Sequence, residues 1–415
     1  MTRQFDVVVL GAGMVGVAVA WHLQKRGLAT LLLDRRGAVE ETSFGNAGLI
    51  QREGVVPYGF PQDLASLVRI GGNRAIDAVY HWAALPRIAG FLLRYRRNSR
   101  PHSHAQIARS YAPLIARCVE EHDAMALAAD CMHLIRRGGW IRAFRSAAAR
   151  DASFGEAESW RDEFGVAYQT LDAAALAAAE PHLAPVMCGA LHWTEPATVP
   201  DPHALGLAYL AHFERMGGTF AKGDATTLSE AGGRWQVATA NGAISALRVV
   251  VALGPWADTV TRGLGYDLPL AVKRGYHMHY AARGDARLNH PVLDSERGYC
   301  LVPTPRGVRL TTGAEFALRD APPTPVQLER AEPLAREWFP LGKRIDADPW
   351  KGARPCTPDM LPIIGPAPRH RGLWFAFGHA HHGLTLGPVT GRLIGEMIVG
   401  EHTCVDAQPF RADRF

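Results

Sequence analysis

The chain is short of several features that would each point to a class of function. Its six cysteines (Cys118, Cys131, Cys188, Cys300, Cys356, Cys404) form no C-x-x-C pair. That argues against a zinc site and a disulfide framework, and for a reducing compartment. No apolar run reaches the length of about eighteen residues needed to span a bilayer. The first strand-like segment begins at Phe5, which leaves no room for a signal peptide. The expected location is cytoplasmic, at most against the inner face of a membrane. Charge of one sign is scarce too: the net charge is +5 over 415 residues, and no nucleic-acid motif accompanies it, so nucleic acid is not an expected partner. There is no internal repeat and no low-complexity tract.

What is present fits a folded protein with room for two domains: 47% of residues are hydrophobic and 20% charged. Phe5 to Arg36, FDVVVLGAGMVGVAVAWHLQKRGLATLLLDRR, organises the rest. Phe5 to Leu10 reads as a buried parallel strand. Gly11, Gly13 and Gly16 then make G-x-G-x-x-G, and Val17, Val19, Ala20 and Leu23 recur at helical spacing up to Gly27. Leu28 to Leu33 reads as a second strand, closed by Asp34. Gly11 permits the tight turn, Gly13 admits a pyrophosphate, and Gly16 lets helix and strand pack closely. The helix N-terminus offers unpaired N–H groups to the phosphates, and Asp34 is spaced to accept hydrogen bonds from a ribose.

Glu41 to Gln51, ETSFGNAGLIQ, reads as a loop beneath a ligand, with Ser43 and Asn46 able to hydrogen-bond a phosphate or ribityl chain. With the first motif, T-S-x-x-N-A-G resembles the FAD-dependent D-amino-acid dehydrogenase and glycine/sarcosine oxidase superfamily. The resemblance implies FAD, with Ala47, Gly48 and Leu49 near the reactive edge of the isoalloxazine and Ala225 touching adenine through its backbone. It extends FAD contacts to Met14, Val15, Arg35, Arg36, Thr42, Gly254, Trp256, Gly378 and His379.

The C-terminal third repeats the resemblance. Lys351 to Gly365, KGARPCTPDMLPIIG, is followed by the strand Leu373 to Phe377 and by GHAHHGLTLGPVTG. R-P-x-T-P-D-x-L-P-x-I-G with G-H-x-x-x-G-x-T is similar to the same superfamily. A second helix N-terminus, at Gly383, Leu384 and Thr385, offers backbone N–H groups to the negative charge of a reduced flavin. Three histidines in four residues, His379, His381 and His382, cannot all face one ion from a regular turn, so no metal is expected and His382 is assigned to the site. Cys356 is a candidate for covalent flavin attachment, against the commoner buried thiol.

The expected fold is α/β. A Rossmann-like FAD-binding domain, discontinuous in sequence (1–60, 105–130, 197–262 and 350–415), joins a β-rich antiparallel substrate domain (131–196 and 263–349). A basic amphipathic insertion occupies 61–104. Between 59 and 100 the cations Arg69, Arg74, Arg87, Arg94, Arg96, Arg97 and Arg100 interleave with Leu67, Tyr80, Trp82 and Phe91, with Asp77 the one counter-charge from position 64 on. This stretch reads as a peripheral membrane or subunit contact, or as a packed excursion or entrance lid.

The expected activity is oxidation of the C–N bond of a small amino acid, by hydride transfer from the α-carbon to the flavin, giving an imine that hydrolyses. The substrate is a D-amino acid or a secondary or cyclic amine such as D-proline or hydroxyproline, and the electron acceptor, oxygen or a quinone, is left open. A carboxylate calls for an arginine fork with a hydroxyl alongside. The candidates are Arg274 with Tyr276, Tyr299, Arg306, Arg309 and Arg354. Relatives place an arginine after L-x-P, where this chain has Thr304. Arg274 leads, because period-two alternation sets it on one strand face with Tyr276 and apart from Lys273 and His277. The alternatives are a flavin-bearing subunit of a larger amine dehydrogenase complex and an NAD(P)-dependent Rossmann dehydrogenase.

Overall fold

In the computed structural model, which describes residues 3–415, the strand Arg3–Leu10 sits at the centre of a parallel sheet. Gly242–Val251 flanks it on one side and Thr30–Asp34 on the other. Leu373–Phe377 and Thr219–Ala231 extend the parallel core outward. Ile363–Pro366 adds an antiparallel edge. Thr219–Ala231, Arg234–Thr239 and Gly242–Val251 form two hairpins that turn at Gly232-Gly233 and Asn241-Gly242.

Helix Met14–Lys25 covers one face of this sheet, packed against Gly383–Val399 and Pro202–Arg215. Gly387 and Gly391 permit the close approach, since a Cβ would press on the Met14 side chain from the first and strike the Ala18 backbone from the second. Residues 101–128 form two helices, Pro101–Ala116 and Cys118–Ala128, interrupted at Arg117. A helix not expected from the sequence runs Ala147–Phe164. Its apolar periodicity is weak, but Ser146 caps it by accepting from the Ala149 N–H, and Gly165 closes it in the left-handed region.

The second sheet has eleven strands and is mostly antiparallel. Its long central strand Ala271–Ala282 pairs with Gly307–Thr311, Ala314–Phe316, Leu341–Arg344 and Trp350–Cys356. Two of its strands lie outside the expected substrate-domain boundaries. Trp350–Cys356 belongs here because seven of its residues pair with Ala271–His277. Ala78–Tyr80, inside the expected insertion, pairs in parallel with Ala314–Phe316. The 59–100 stretch therefore contributes an edge strand to the second sheet and residues to a cavity wall. Among the described residues, no helix is long and apolar enough to cross a membrane.

Candidate active site

A cavity of about 930 Å³ lies between the two sheets, walled at one end by Asp34 and Ala225 and at the other by Arg142 and Trp193. That is the upper end of the usual ligand-pocket range of about 300–1,000 Å³.

The glycine motif makes the first wall. Gly11 has φ +100°, and a Cβ there would meet the Ala252 carbonyl at 2.6 Å. A Cβ on Gly16 would collide with the Gly11 carbonyl oxygen, so Gly16 serves packing and lies behind the cavity. Gly13 differs: a Cβ there would meet only the Ser43 hydroxyl, at 3.3 Å, and otherwise fill the cavity. Ser43 Oγ accepts from the Met14 N–H at 3.0 Å, which holds the 41–51 loop against the helix start. Asp34 Oδ2 accepts from the Ala12 N–H at 2.7 Å and its Oδ1 from the Arg36 N–H at 3.0 Å, fixing the carboxylate at the ribose position. Arg35 lies over the Trp256 ring, 4.9 Å from its centroid. Val15, Arg35, Thr42, Ala225, Gly254 and Trp256 line the cavity, whereas Arg36 turns outward to Glu41.

Asn46, Ala47 and Leu49 also line it. Gly48 does not; its φ of +74° and a carbonyl of Val199 against its α-carbon make it a backbone requirement. On the C-terminal side, His379, His382, Gly383 and Leu384 reach the cavity. Gly378, at φ +84°, only turns the chain, and the Thr385 hydroxyl donates to the Leu49 carbonyl at 3.1 Å. Helices Met14–Lys25 and Gly383–Val399 both begin at this cavity without a side-chain cap. Two free helix N-termini, an acid for a ribose and a glycine face that a Cβ would obstruct fit FAD.

His382 is buried; its Nδ1 pairs with the Tyr111 hydroxyl at 2.8 Å, and burial lowers its pKa to about 3, so the ring is neutral. Burial likewise lowers His379 to about 3, and its Nε2 meets the Thr390 hydroxyl. Among the described residues no cluster is arranged to hold a metal ion. Cys356 lines the cavity with its thiol pushed up by burial.

The substrate-side expectations need correction. Arg274 and Tyr276 share a strand face and both turn their polar ends to Glu315; Tyr276 reaches the cavity lining, whereas Arg274 lies outside it. Arg274 is fully buried; its Nε donates to Glu315 Oε2 at 2.6 Å, and its other nitrogens donate to the carbonyls of Ala321 and Pro322. The Tyr276 hydroxyl donates to the same Glu315 oxygen at 2.7 Å. Burial opposes ionisation of Glu315, but hydrogen bonds from Arg274, Thr324 and Tyr276 outweigh it and hold the carboxyl below its ordinary range. Arg274 is thus a structural ion pair and no substrate anchor. Arg309 lies outside the cavity lining; its Nε meets His279 at 3.1 Å and its Nη1 donates to the Asn46 carbonyl, bracing the loop from behind. Arg306 is an exposed turn residue paired with Asp346. Tyr299 is buried in the second core. Of the arginines proposed to hold a carboxylate, Arg354 alone lines the cavity, donating to the Gly313 carbonyl at 2.8 Å.

The cavity residues that the sequence reading did not assign to the site include Glu53, Tyr58, Arg142 and Lys273. Arg142 sits in the strand Trp140–Phe144, and alternation alone places it beside Trp140 on one face. Its Nε donates to the Ser295 hydroxyl at 2.9 Å. The charges of Arg142 and Arg354 both act on the Tyr58 hydroxyl. Glu53 is 3% exposed; its Oε1 accepts from Gln51 and from the Trp140 indole, each at 2.9 Å, and its Oε2 has no partner among the described residues. Burial raises its pKa to about 7 against those hydrogen bonds. Trp160 and Trp193, stacked at 5.7 Å, complete an apolar wall.

Fold and cavity together define a dinucleotide-binding protein whose nucleotide cradle opens into a chamber under a second sheet. The chain belongs to the FAD dependent oxidoreductase family, whose model matches residues 6–397. FAD is its cofactor, and the nicotinamide alternative falls. Curated relatives include a D-amino-acid oxidase of Bradyrhizobium diazoefficiens, 28% identical over 99% of this chain and 98% of its own. A D-amino acid dehydrogenase of Methylobacterium nodulans is 31% identical over 95% of each chain. Glycine oxidase from Geobacillus kaustophilus shares the fold at a TM-score of 0.76 and 22% identity over both full chains.

Proposed function

We propose that this enzyme oxidises the Cα–N bond of a small amino acid: a D-amino acid, or a secondary or cyclic amine such as D-proline or hydroxyproline. The observation that carries the reading is the continuity of one cavity from the glycine cradle to Arg142 and Arg354. Similarity to D-amino acid oxidases and dehydrogenases along nearly the whole chain supports it.

In this reading Arg354 takes the substrate carboxylate, with Arg142 and Tyr58 also lining the chamber. Two carbonyls, of Gly313 and Thr312, already orient the Arg354 guanidinium, so little freedom is lost on binding. Trp140, Trp160 and Trp193 keep water from the α-carbon. FAD, when bound, supplies the acceptor for the hydride that leaves that carbon. The amine becomes an imine, which water hydrolyses after release. His382, neutral and tied to Tyr111, shapes the wall without carrying charge.

The test is anaerobic bleaching of the flavin band near about 450 nm, a property of the cofactor, against D-, L- and N-alkyl amino acids. Bleaching by amino acids supports the reading. A yellow protein that none of them reduces points instead to a flavin-bearing subunit of a larger complex. Oxygen consumption set against quinone reduction then identifies the acceptor.

The surface of the 59–100 stretch supports docking to an anionic lipid face. Leu64, Val68, Trp82 and Leu93 are each more than 60% exposed, and the helix Leu85–Asn98, which carries Leu93, also presents Arg94, Arg96 and Arg97 to solvent. Apolar side chains interleaved with unpaired arginines suit a bilayer interface.

A further inference from the structure

Two cations face each other across the sheet that roofs the cavity. Lys273, on Ala271–Ala282, is the register partner of Arg354, on Trp350–Cys356. Residues directly opposite in an antiparallel pair put their side chains on one face, and like charges there are destabilising. Both residues line the cavity, and no carboxylate pairs with either among the described residues. Such an arrangement costs stability unless an anion occupies the space before it.

The two charged heads diverge. Arg354 lies back over Gly275, where a Cβ would come within 2.5 Å of its Nη2, and bonds to Gly313 and Thr312. The Lys273 Nζ goes the other way. It donates to the Tyr95 hydroxyl at 2.9 Å and sits 4.1 Å from that ring's centroid and 5.4 Å from that of Phe316. An ammonium has three donors, and Tyr95 uses one; the Met360 sulfur, at 3.8 Å, is a weak second partner. Phe60, Leu92 and Phe316 supply apolar wall beside it. The chamber thus has two separate cationic positions joined by a surface suited to methylenes. Two buried acids of the second sheet and the cavity are already committed elsewhere: Glu315 to Arg274 and Tyr276, and Glu53 to Gln51 and Trp140.

We propose that the chamber is built for an α-amino dicarboxylic acid. Arg354 takes the α-carboxylate and Lys273 takes the carboxylate at the end of the substrate's side chain. This rests on the proposed amino-acid oxidation and names its substrate class.

The test uses the FAD-loaded enzyme and anaerobic flavin reduction by aspartate, glutamate and 2-aminoadipate, each compared with its side-chain amide, in both D and L forms. Reduction efficiency for at least one dicarboxylic acid exceeds that of its amide by about tenfold or more, the scale of one charge-assisted hydrogen bond. In Lys273→Met and Lys273→Gln that ratio collapses towards one, and Lys273→Arg restores most of it. Reading the ratio within each variant separates substrate recognition from any general effect on the flavin. A wild-type ratio of one or less overturns the inference and leaves amino-acid oxidation standing. A ratio that survives in both Lys273 variants overturns it as well. If no amino acid, acidic or neutral, reduces the flavin, the oxidation reading fails and takes this one with it.

Discussion

Replacing Glu53 by Gln tests the electrostatics of the chamber through stability alone. In the unfolded chain this carboxyl ionises near 4.5, whereas burial raises it to about 7 in the folded protein. Between those values the native state holds a proton that the unfolded state has released, so stability falls as pH rises through the window and levels off above it. At about 1.4 kcal/mol per pH unit, the loss amounts to about 3 kcal/mol. Glutamine keeps an oxygen for the Gln51 and Trp140 donors and carries no titrating proton, so Glu53→Gln escapes the loss. For a chain of this length that corresponds to about 3 °C in melting temperature. The assay is a melting curve of FAD-loaded wild type and variant at one scan rate from pH 4.5 to 8, where the other titrating groups are common to both. The variant's melting temperature gains on the wild type with rising pH, and the gain stops above about pH 7. Curves that stay parallel across the window would refute the reasoning.

Gly13→Val fills the open face of the glycine turn, and the purified protein should be colourless, read by its flavin spectrum. Arg274→Met leaves Glu315 buried without its guanidinium; melting should show a loss of about 3–5 kcal/mol, the cost of orphaning a buried charge, with the flavin spectrum of the surviving folded protein unchanged. Changing Arg94, Arg96 and Arg97 together to Glu removes three exposed charges that pair with nothing among the described residues. Flavin should stay bound, and co-sedimentation with anionic liposomes at low salt should be lost. Wild-type protein that never co-sediments removes the membrane reading.

The nucleotide site was legible because each of its parts is a local rule. Gly11 needs a positive φ, Gly16 needs a missing Cβ, and a helix start exposes its own N–H groups; all three follow from neighbours a few residues away. The helix Gly383–Val399 announced itself in the same way through the glycine turn before it. The substrate side obeys no such rule. Period-two alternation correctly grouped Arg274 with Tyr276 and set Lys273 apart, but alternation states which residues share a face and not which face meets a ligand. That was decided by Glu315, whose carboxylate, on the neighbouring strand Ala314–Phe316, draws Arg274 and Tyr276 into the second core. The opposite face, Lys273 with Arg354 from the far end of the chain, was thereby left to the cavity. Glu53, Tyr58 and Arg142 became cavity residues in the same way: only packing brings a loop, a strand of the second sheet and the C-terminal segment around one space. Local chemistry in the sequence determined the cofactor; long-range pairing of strands determined what stands opposite it.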